Sequence, residues 1–554
     1  MLRIRIRSWH SSLVGALLAA LVVALQMGCG DVESEGDEDP IAVALALSGQ
    51  GAACNGSGEI APLRCAVAPA PATPDIINNA AAIQLGKALF WDMQIGGDGE
   101  VGCASCHFRA GVDTRLFNTV NPGPNGIFEI VPGPGQTFTP ATFNSDDRVG
   151  SQGVVQQIFV GISPVPSNAA DICIDDTVGP VATHRFGAQR QVTARNSPSP
   201  IGALFNRNNF WDGRASHLFD GIDPFGGTGN ASTPVVLQND ASLASQSVSP
   251  PGNSVEMSCA GRPFNGFNSL GAKLVPRAAL QLQLVAPTDS VLGPRSAAPA
   301  NGLVCGNQPC TYAMLIAAAF RPALAADAVN QFSRIFGEAI QAYELTLIPD
   351  QTPLDRFLDG DPSALTQSQQ KGLGFFISGK GRCAKCHSGP ELSDATLGEF
   401  QRSGPINEDN GDQGFHNIGV RPTAEDLGRA GLGPKGVSFS VSHNASDRGA
   451  FKTSQLRNLK LTAPYFHNGD TKTIADVVDF YARGGDFPNP EKAKRISGFS
   501  LNPDQRATLI DFLTNGLTDC RVEKDAAPFD HPSLAVPNGP SLPAVGKAGL
   551  GPCP

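Results

Sequence analysis

Two short stretches carry residues whose types and spacing can do chemistry: VGCASCHFRA at 101–110 and GRCAKCHSGP at 381–390. Each holds two cysteines two residues apart, with a histidine directly behind the second. A redox disulfide, half a zinc site and an anchor for haem all use such residues. The zinc reading lacks a second CxxC at finger-like spacing beside either motif, and the redox reading lacks a βαβ frame nearby. Haem c uses every part, because the thiols form thioethers to the porphyrin vinyls and the adjacent histidine ligates the iron. The sequence therefore predicts two covalently bound haem c groups, on Cys103, Cys106 and His107 and on Cys383, Cys386 and His387.

Helices must carry these anchors. Residues 76–91 and 328–347 place apolar side chains at helical intervals, and 366–377 lead into the second anchor. Beyond it, 473–485 and 503–517 read as helices, the latter with Pro503 in its first turn and Gly516 near its stop. The expected fold is mainly α, two cytochrome-c-like haem domains at 75–325 and 326–520 followed by a tail at 521–554. Gly/Pro/Ser/Asn-rich stretches at about 110–183 and 225–250 read as loop-rich surface insertions.

A chain of 554 residues exceeds one domain, and 62 glycines with 44 prolines fit long connections around its cores. The formal charge of −10 becomes more negative once a leader with Arg3, Arg5 and Arg7 is removed, which argues against a nucleic-acid partner. That leader (1–29) has a basic start and an apolar run at about 13–25, the pattern of an export signal. Gly28-Cys29 resembles a lipoprotein cleavage site, so membrane anchoring through lipidated Cys29 is one expectation and simple cleavage nearby the other. An acidic and Pro/Ala-rich tether (30–74) follows. The expected location is the periplasm or cell envelope. Setting aside Cys29 and the two motifs leaves Cys54, Cys65, Cys173, Cys259, Cys305, Cys310, Cys520 and Cys553, an even set that suits disulfides in an oxidising compartment. Cys305/Cys310 is the expected close pair; the remaining connectivity stays open.

Over most of 75–520 the chain resembles the bacterial di-haem cytochrome c peroxidase family, which includes MauG. The resemblance rests on LGKALFWD before the first anchor, RNSP at 195–198, FWDGRA at 210–215, SVEM at 254–257, PLDRFLDGD at 353–361 and LRNLKLTAPYFHNG at 456–469. It implies that Glu256 is the distal acid, with Pro250 six residues before it. A carboxyl group in an apolar pocket can shuttle a proton between peroxide oxygens, since burial raises its pKa. It implies that Trp211 lies between the haems and relays electrons. It also implies a calcium ion held by Asn196, Thr462 and Pro464, an oxygen set that suits a hard cation. His184 and His217 fall off the family's distal-histidine position, near Ala188, and are left out.

No methionine follows Met314, so the C-terminal half has none of its own to place opposite His387. Fourteen residues after His467 stands Tyr481, where cytochrome c peroxidases carry their methionine ligand and MauG-like members a tyrosine. A phenolate is a hard donor that lowers the potential; His416, His443 and His467 are rival ligands. The resemblance implies an enzyme reducing hydrogen peroxide at the N-terminal haem, with one-electron transfer through the second and a small electron-donor protein as partner. Alternatives are a MauG-like oxidase acting on a protein substrate, a di-haem oxygenase, and a non-enzymatic electron carrier.

Overall fold

The computed structural model describes residues 40, 41, 44, 54, 60–69, 73–129, 134–135, 146–164, 169–176, 185–225 and 238–553. The leader, Cys29, the acidic stretch and His184 lie outside the described residues. Around the first anchor the chain builds α1 (Asn79–Trp91), α2 (Ser242–Ser247), α3 (Tyr312–Ala319) and α4 (Phe332–Glu344). Asn78 caps α1 by accepting from the Ala81 N–H. α1 and α4 approach closely because α1 carries Gly86, where a Cβ would sit 1.9 Å from the Ala339 carbonyl oxygen. Their apolar faces form a core with Leu85, Leu89, Phe332, Phe336 and Ile340, all at most 1 % exposed.

A second core surrounds the second anchor, built by α5 (Gln367–Ile377), α6 (Ile474–Arg483) and α7 (Pro503–Asp511) with Leu373, Phe376, Val478, Leu509 and Phe512. Thr366, Thr473 and Asn502 cap these helices. α7 runs on through one π turn, Phe512–Gly516, which completes the helix expected over 503–517. Among the described residues no helix is long and apolar enough to cross a membrane.

The expectation of a mainly α fold is met only in part. Helices supply the two cores, but much of the chain is irregular, and strands among the described residues form two-stranded antiparallel ladders. In the first stretch read as an insertion, β1 (Gln152–Val155) pairs with β4 (Arg190–Val192), and β2 (Gln157–Gly161) with β3 (Ile172–Asp175). The end of the second stretch is the buried helix α2, seated on α4 where Gly337 lies; a Cβ there would stand 2.6 Å from the Phe219 ring. The stretch read as a tail packs back on the first core through Phe529, Leu534 and Val536, and His531 stacks on Trp91 with ring centroids 4.6 Å apart. All eight cysteines outside the anchors and Cys29 pair, as Cys54–Cys65, Cys173–Cys259, Cys305–Cys310 and Cys520–Cys553.

Candidate active site

Both anchors take the same local form, a single 3-10 turn that sets the histidine beside a following loop: Cys103–Ser105 before His107 and Cys383–Lys385 before His387. His107 Nδ1–H donates to the Gly111 carbonyl at 2.8 Å, and His387 Nδ1–H to the Leu392 carbonyl at 3.1 Å. Each bond makes Nδ1 the protonated nitrogen and leaves the lone pair on Nε2, as in a metal-ligating imidazole, although the Ser197 hydroxyl lies 3.4 Å from Nε2 of His107 and the Ser454 backbone also bonds to His387. Burial pushes both imidazole pKa values down, which keeps that lone pair unprotonated. Among the described residues the four anchor cysteines are the free ones. Burial pushes the thiols of Cys106 and Cys383 up to about 12, and Cys103 upward as well.

One cavity, with about 2570 Å³ of empty space counting its open mouth, touches both anchors; His107 and His387 both line it. Four free thiols, two oriented imidazoles and this shared, mainly apolar cavity fit two haem c groups. Trp211 lines the cavity, donates from Nε1 to the Asn196 carbonyl at 2.8 Å, and meets His467 edge-on with centroids 6.4 Å apart. Pro250 lines it too, in the short turn Pro250–Gly252.

Glu256 is half-buried and is not among the residues that line the cavity. Its neighbour Met257 packs in the core around the first anchor, and the Glu256 charge raises the thiol pKa values of Cys103 and Cys106. Burial raises its pKa, partly offset by Arg214. The loop that carries it is held from several sides. The Asn253 side chain accepts from the N–H groups of Val255 and Glu256, and β1 docks through Val154 N–H on the Val255 carbonyl at 3.0 Å. The Cys173–Cys259 bridge ties β3 to the same loop.

Tyr481, on α6, lines the cavity beside Cys383 and Cys386, whose thiols raise its pKa further after burial. Its hydroxyl has no hydrogen bond to another described residue. Among its rivals, His416 is committed to Asp394 Oδ2 at 2.7 Å and His443 is exposed. His467 lines the cavity but stacks on Phe451 at 3.6 Å, with its pKa pushed down to about 3, chiefly by burial. Asn196, Thr462 and Pro464 also line the cavity; the Asn196 carboxamide donates to the Pro464 carbonyl at 2.7 Å. A cation between them would need that carboxamide turned to present Oδ1.

Sequence reasoning missed Glu344, the last residue of α4. It lines the cavity, is 2 % exposed, has an Oε2 without a partner, and burial alone pushes its pKa up to about 8. The available signal was a glutamate on the buried face of an amphipathic helix. It missed Lys452 as well, a buried cavity-lining amine brought down to about 8 by burial.

A family model described as di-haem cytochrome c peroxidase matches residues 80–146 and 175–363. The cytochrome-c peroxidase IdrP1 of Pseudomonas sp. (strain SCT) is 33% identical over 234 residues, 39% of this chain and 59% of that one. The methylamine utilization protein MauG of Methylorubrum extorquens is 30% identical over 175 residues, 32% of this chain and 42% of that one. The chain belongs to the di-haem cytochrome c peroxidase/MauG family. It spans about half the length of the curated relatives it matches. A solved MauG-like protein associated with microbial copper homeostasis aligns over 85% of this chain and 98% of its own at 20% identity, TM-score 0.45. In this member of the di-haem cytochrome c peroxidase/MauG family, the matched segments hold the first anchor, Trp211, Glu256 and Glu344 and stop before the second anchor.

Proposed function

We propose that the chain is an exported di-haem c-type peroxidase that reduces hydrogen peroxide at the N-terminal anchor and exchanges single electrons through the C-terminal one. The observation that carries this reading is the single cavity that reaches both anchors with Trp211 in its wall. Bound haem supplies the iron at which peroxide reacts and a store of single electrons. The chain supplies the rest. His107 and His387 each offer an oriented Nε2. Glu256, its pKa raised by burial, holds the proton that must move between peroxide oxygens when the O–O bond breaks. Pro250 shapes the wall on that side, and Trp211 offers an aromatic relay between the anchors.

Tyr481 supports a second reading, a MauG-like oxidase acting on a protein substrate. With a phenol rather than a thioether near the second anchor, that haem would have a low potential and share oxidising equivalents rather than draw electrons from a small donor protein. A calcium ion on Asn196, Thr462 and Pro464 belongs to either reading. The four disulfides support an oxidising compartment, hence export to the periplasm or cell envelope, with lipidation of Cys29 the means by which the chain would be held at a membrane.

Rapid mixing of the purified holoprotein with hydrogen peroxide, followed by absorption, tests the reading. A high-spin ferric band that vanishes on mixing is expected. Two fully ligated, peroxide-inert haems would identify an electron carrier, and reaction with dioxygen in place of peroxide would identify an oxygenase.

A further inference from the structure

A second cleft lies beyond the cavity of the anchors, with about 1030 Å³ of empty space counting its mouth. Phe225, Phe400, Phe415 and Phe439 line it, and Phe225 and Phe439 lie parallel to within 3°, centroids 6.0 Å apart. Three arginines line it as well, and two are answered: Arg429 donates to Asp412 Oδ2 at 2.6 Å and Arg214 to Asp212 Oδ2 at 2.9 Å. Arg207 makes no ion pair with a described residue. It donates to His217 Nε2 at 2.9 Å, and its guanidinium lies 3.4 Å over the Phe400 ring centroid. The pKa of His217 is pushed down to about 4 chiefly by burial, and the carboxylate whose charge acts on Arg207 is Asp240, which forms no ion pair with it. The cleft thus combines flat apolar walls with a guanidinium that has donors beyond its one hydrogen bond to His217.

Asp394 provides the second observation. It lines this cleft, is 5 % exposed, and gives Oδ2 to His416 Nε2, while its Oδ1 is buried without a partner. A buried carboxylate oxygen left unanswered is costly, and a turn of the Asp394 side chain that opened Oδ1 to the cleft would let a ligand hydroxyl answer it. His416 in turn lines the cavity of the anchors, so one ion pair joins the walls of the two spaces.

We propose that this cleft binds a hydroxyaromatic carboxylate, with its carboxylate on Arg207, its hydroxyl on Asp394 Oδ1 and its ring among the phenylalanines, and that the molecule is a reductant. Each molecule gives up one electron and its hydroxyl proton, the proton passing by way of Asp394 Oδ1 to solvent while peroxide takes one from solvent in its place. Two molecules supply the two electrons and two protons that convert one hydrogen peroxide to two waters. The reductant role rests on the peroxidase reading; the binding does not.

Calorimetric titration of the holoprotein with 4-hydroxybenzoate, benzoate and phenol tests the site. The full molecule binds, and each truncated one binds about tenfold more weakly or worse. Arg207→Gln weakens 4-hydroxybenzoate and benzoate by about tenfold or more while sparing phenol, and Arg207→Lys recovers part of the loss. An unchanged haem absorption spectrum shows that both variants are folded. No binding to the wild type, or equal weakening of all three compounds by Arg207→Gln, overturns the site. With peroxide added, two molecules of 4-hydroxybenzoate disappear per peroxide, and Arg207→Gln raises KM more than it lowers kcat. Binding without consumption, while ferrocyanide is oxidised by the same enzyme and peroxide, overturns the reductant role alone. If neither is oxidised, the peroxidase reading falls with it. Glu256→Gln abolishes consumption and leaves the titration as it was.

Discussion

At the first anchor His107 gives its Nδ1–H to the Gly111 carbonyl; at the second, His387 gives its own to Leu392. The two turns hold their histidines alike, and the surroundings diverge. The first anchor has two carboxyl groups with raised pKa values beside it, Glu256 and Glu344, on a rigidly held loop and a helix end. The second has the Tyr481 phenol and the buried His416–Asp394 pair. Under the proposed reading the same anchoring unit serves proton handling at one end and a hard ligand at the other. On that reading the CxxCH turn fixes where a haem sits, while side chains distant in sequence decide what it does.

Breaking the first side gives the largest effect. Glu256→Gln should slow the reaction with peroxide by roughly 10²–10⁴-fold in rapid mixing, the usual worth of a positioned acid–base group, and leave both haems attached. The second core offers the next. Arg457 and Asp355 pair at 2.6 Å with side chains 1 % and 2 % exposed, so Arg457→Met strands a buried charge and should cost about 3–5 kcal/mol in urea unfolding. The loss should be read first at the second haem's absorption.

Glu344 separates the anchors by pH. Its folded-state pKa is raised from 4.5 to about 8, so its contribution to stability is complete below about 4.5 and is lost as pH rises through about 8. Glu344→Gln should therefore match the wild type near pH 4.5 and exceed it by on the order of 5 kcal/mol near pH 9 in urea unfolding. The smallest effect sharpens the second side. Tyr481→Phe should raise the second haem's potential by on the order of 100 mV in a redox titration and leave the first unmoved. An unmoved second potential would reassign Tyr481 to packing.

The anchors and the helices that carry them were legible because their signals are local. Both CxxCH motifs, the apolar spacing of the helices, and Pro503 and Gly516 at the ends of the last one act within a few residues of themselves. What depends on distant partners was not. Nothing in SLASQS announces a buried helix, and α2 is buried because Gly337 on α4 admits Phe219 and Ala244. Glu344 reads as one more polar residue on an amphipathic helix until the cavity beside it is seen. The second cleft draws Arg207, Asp394 and Phe439 from stretches that share no motif. Of the disulfides, only Cys305–Cys310 was expected by its spacing; Cys173–Cys259 spans 86 residues and follows from the docking of β2, the partner of β3, on the Glu256 loop through Phe159 and Ala260.

The division of the cysteines sets a problem for biogenesis. The machinery that matures this chain must oxidise eight thiols and spare four. The spared pairs sit two residues apart, close enough to be trapped by each other before a porphyrin arrives. Once the chain has folded around them, Cys103, Cys106 and Cys383 are held as protonated thiols, poor nucleophiles towards an oxidant. The fold would therefore shelter sulfur that must stay reduced until the porphyrin is joined to it.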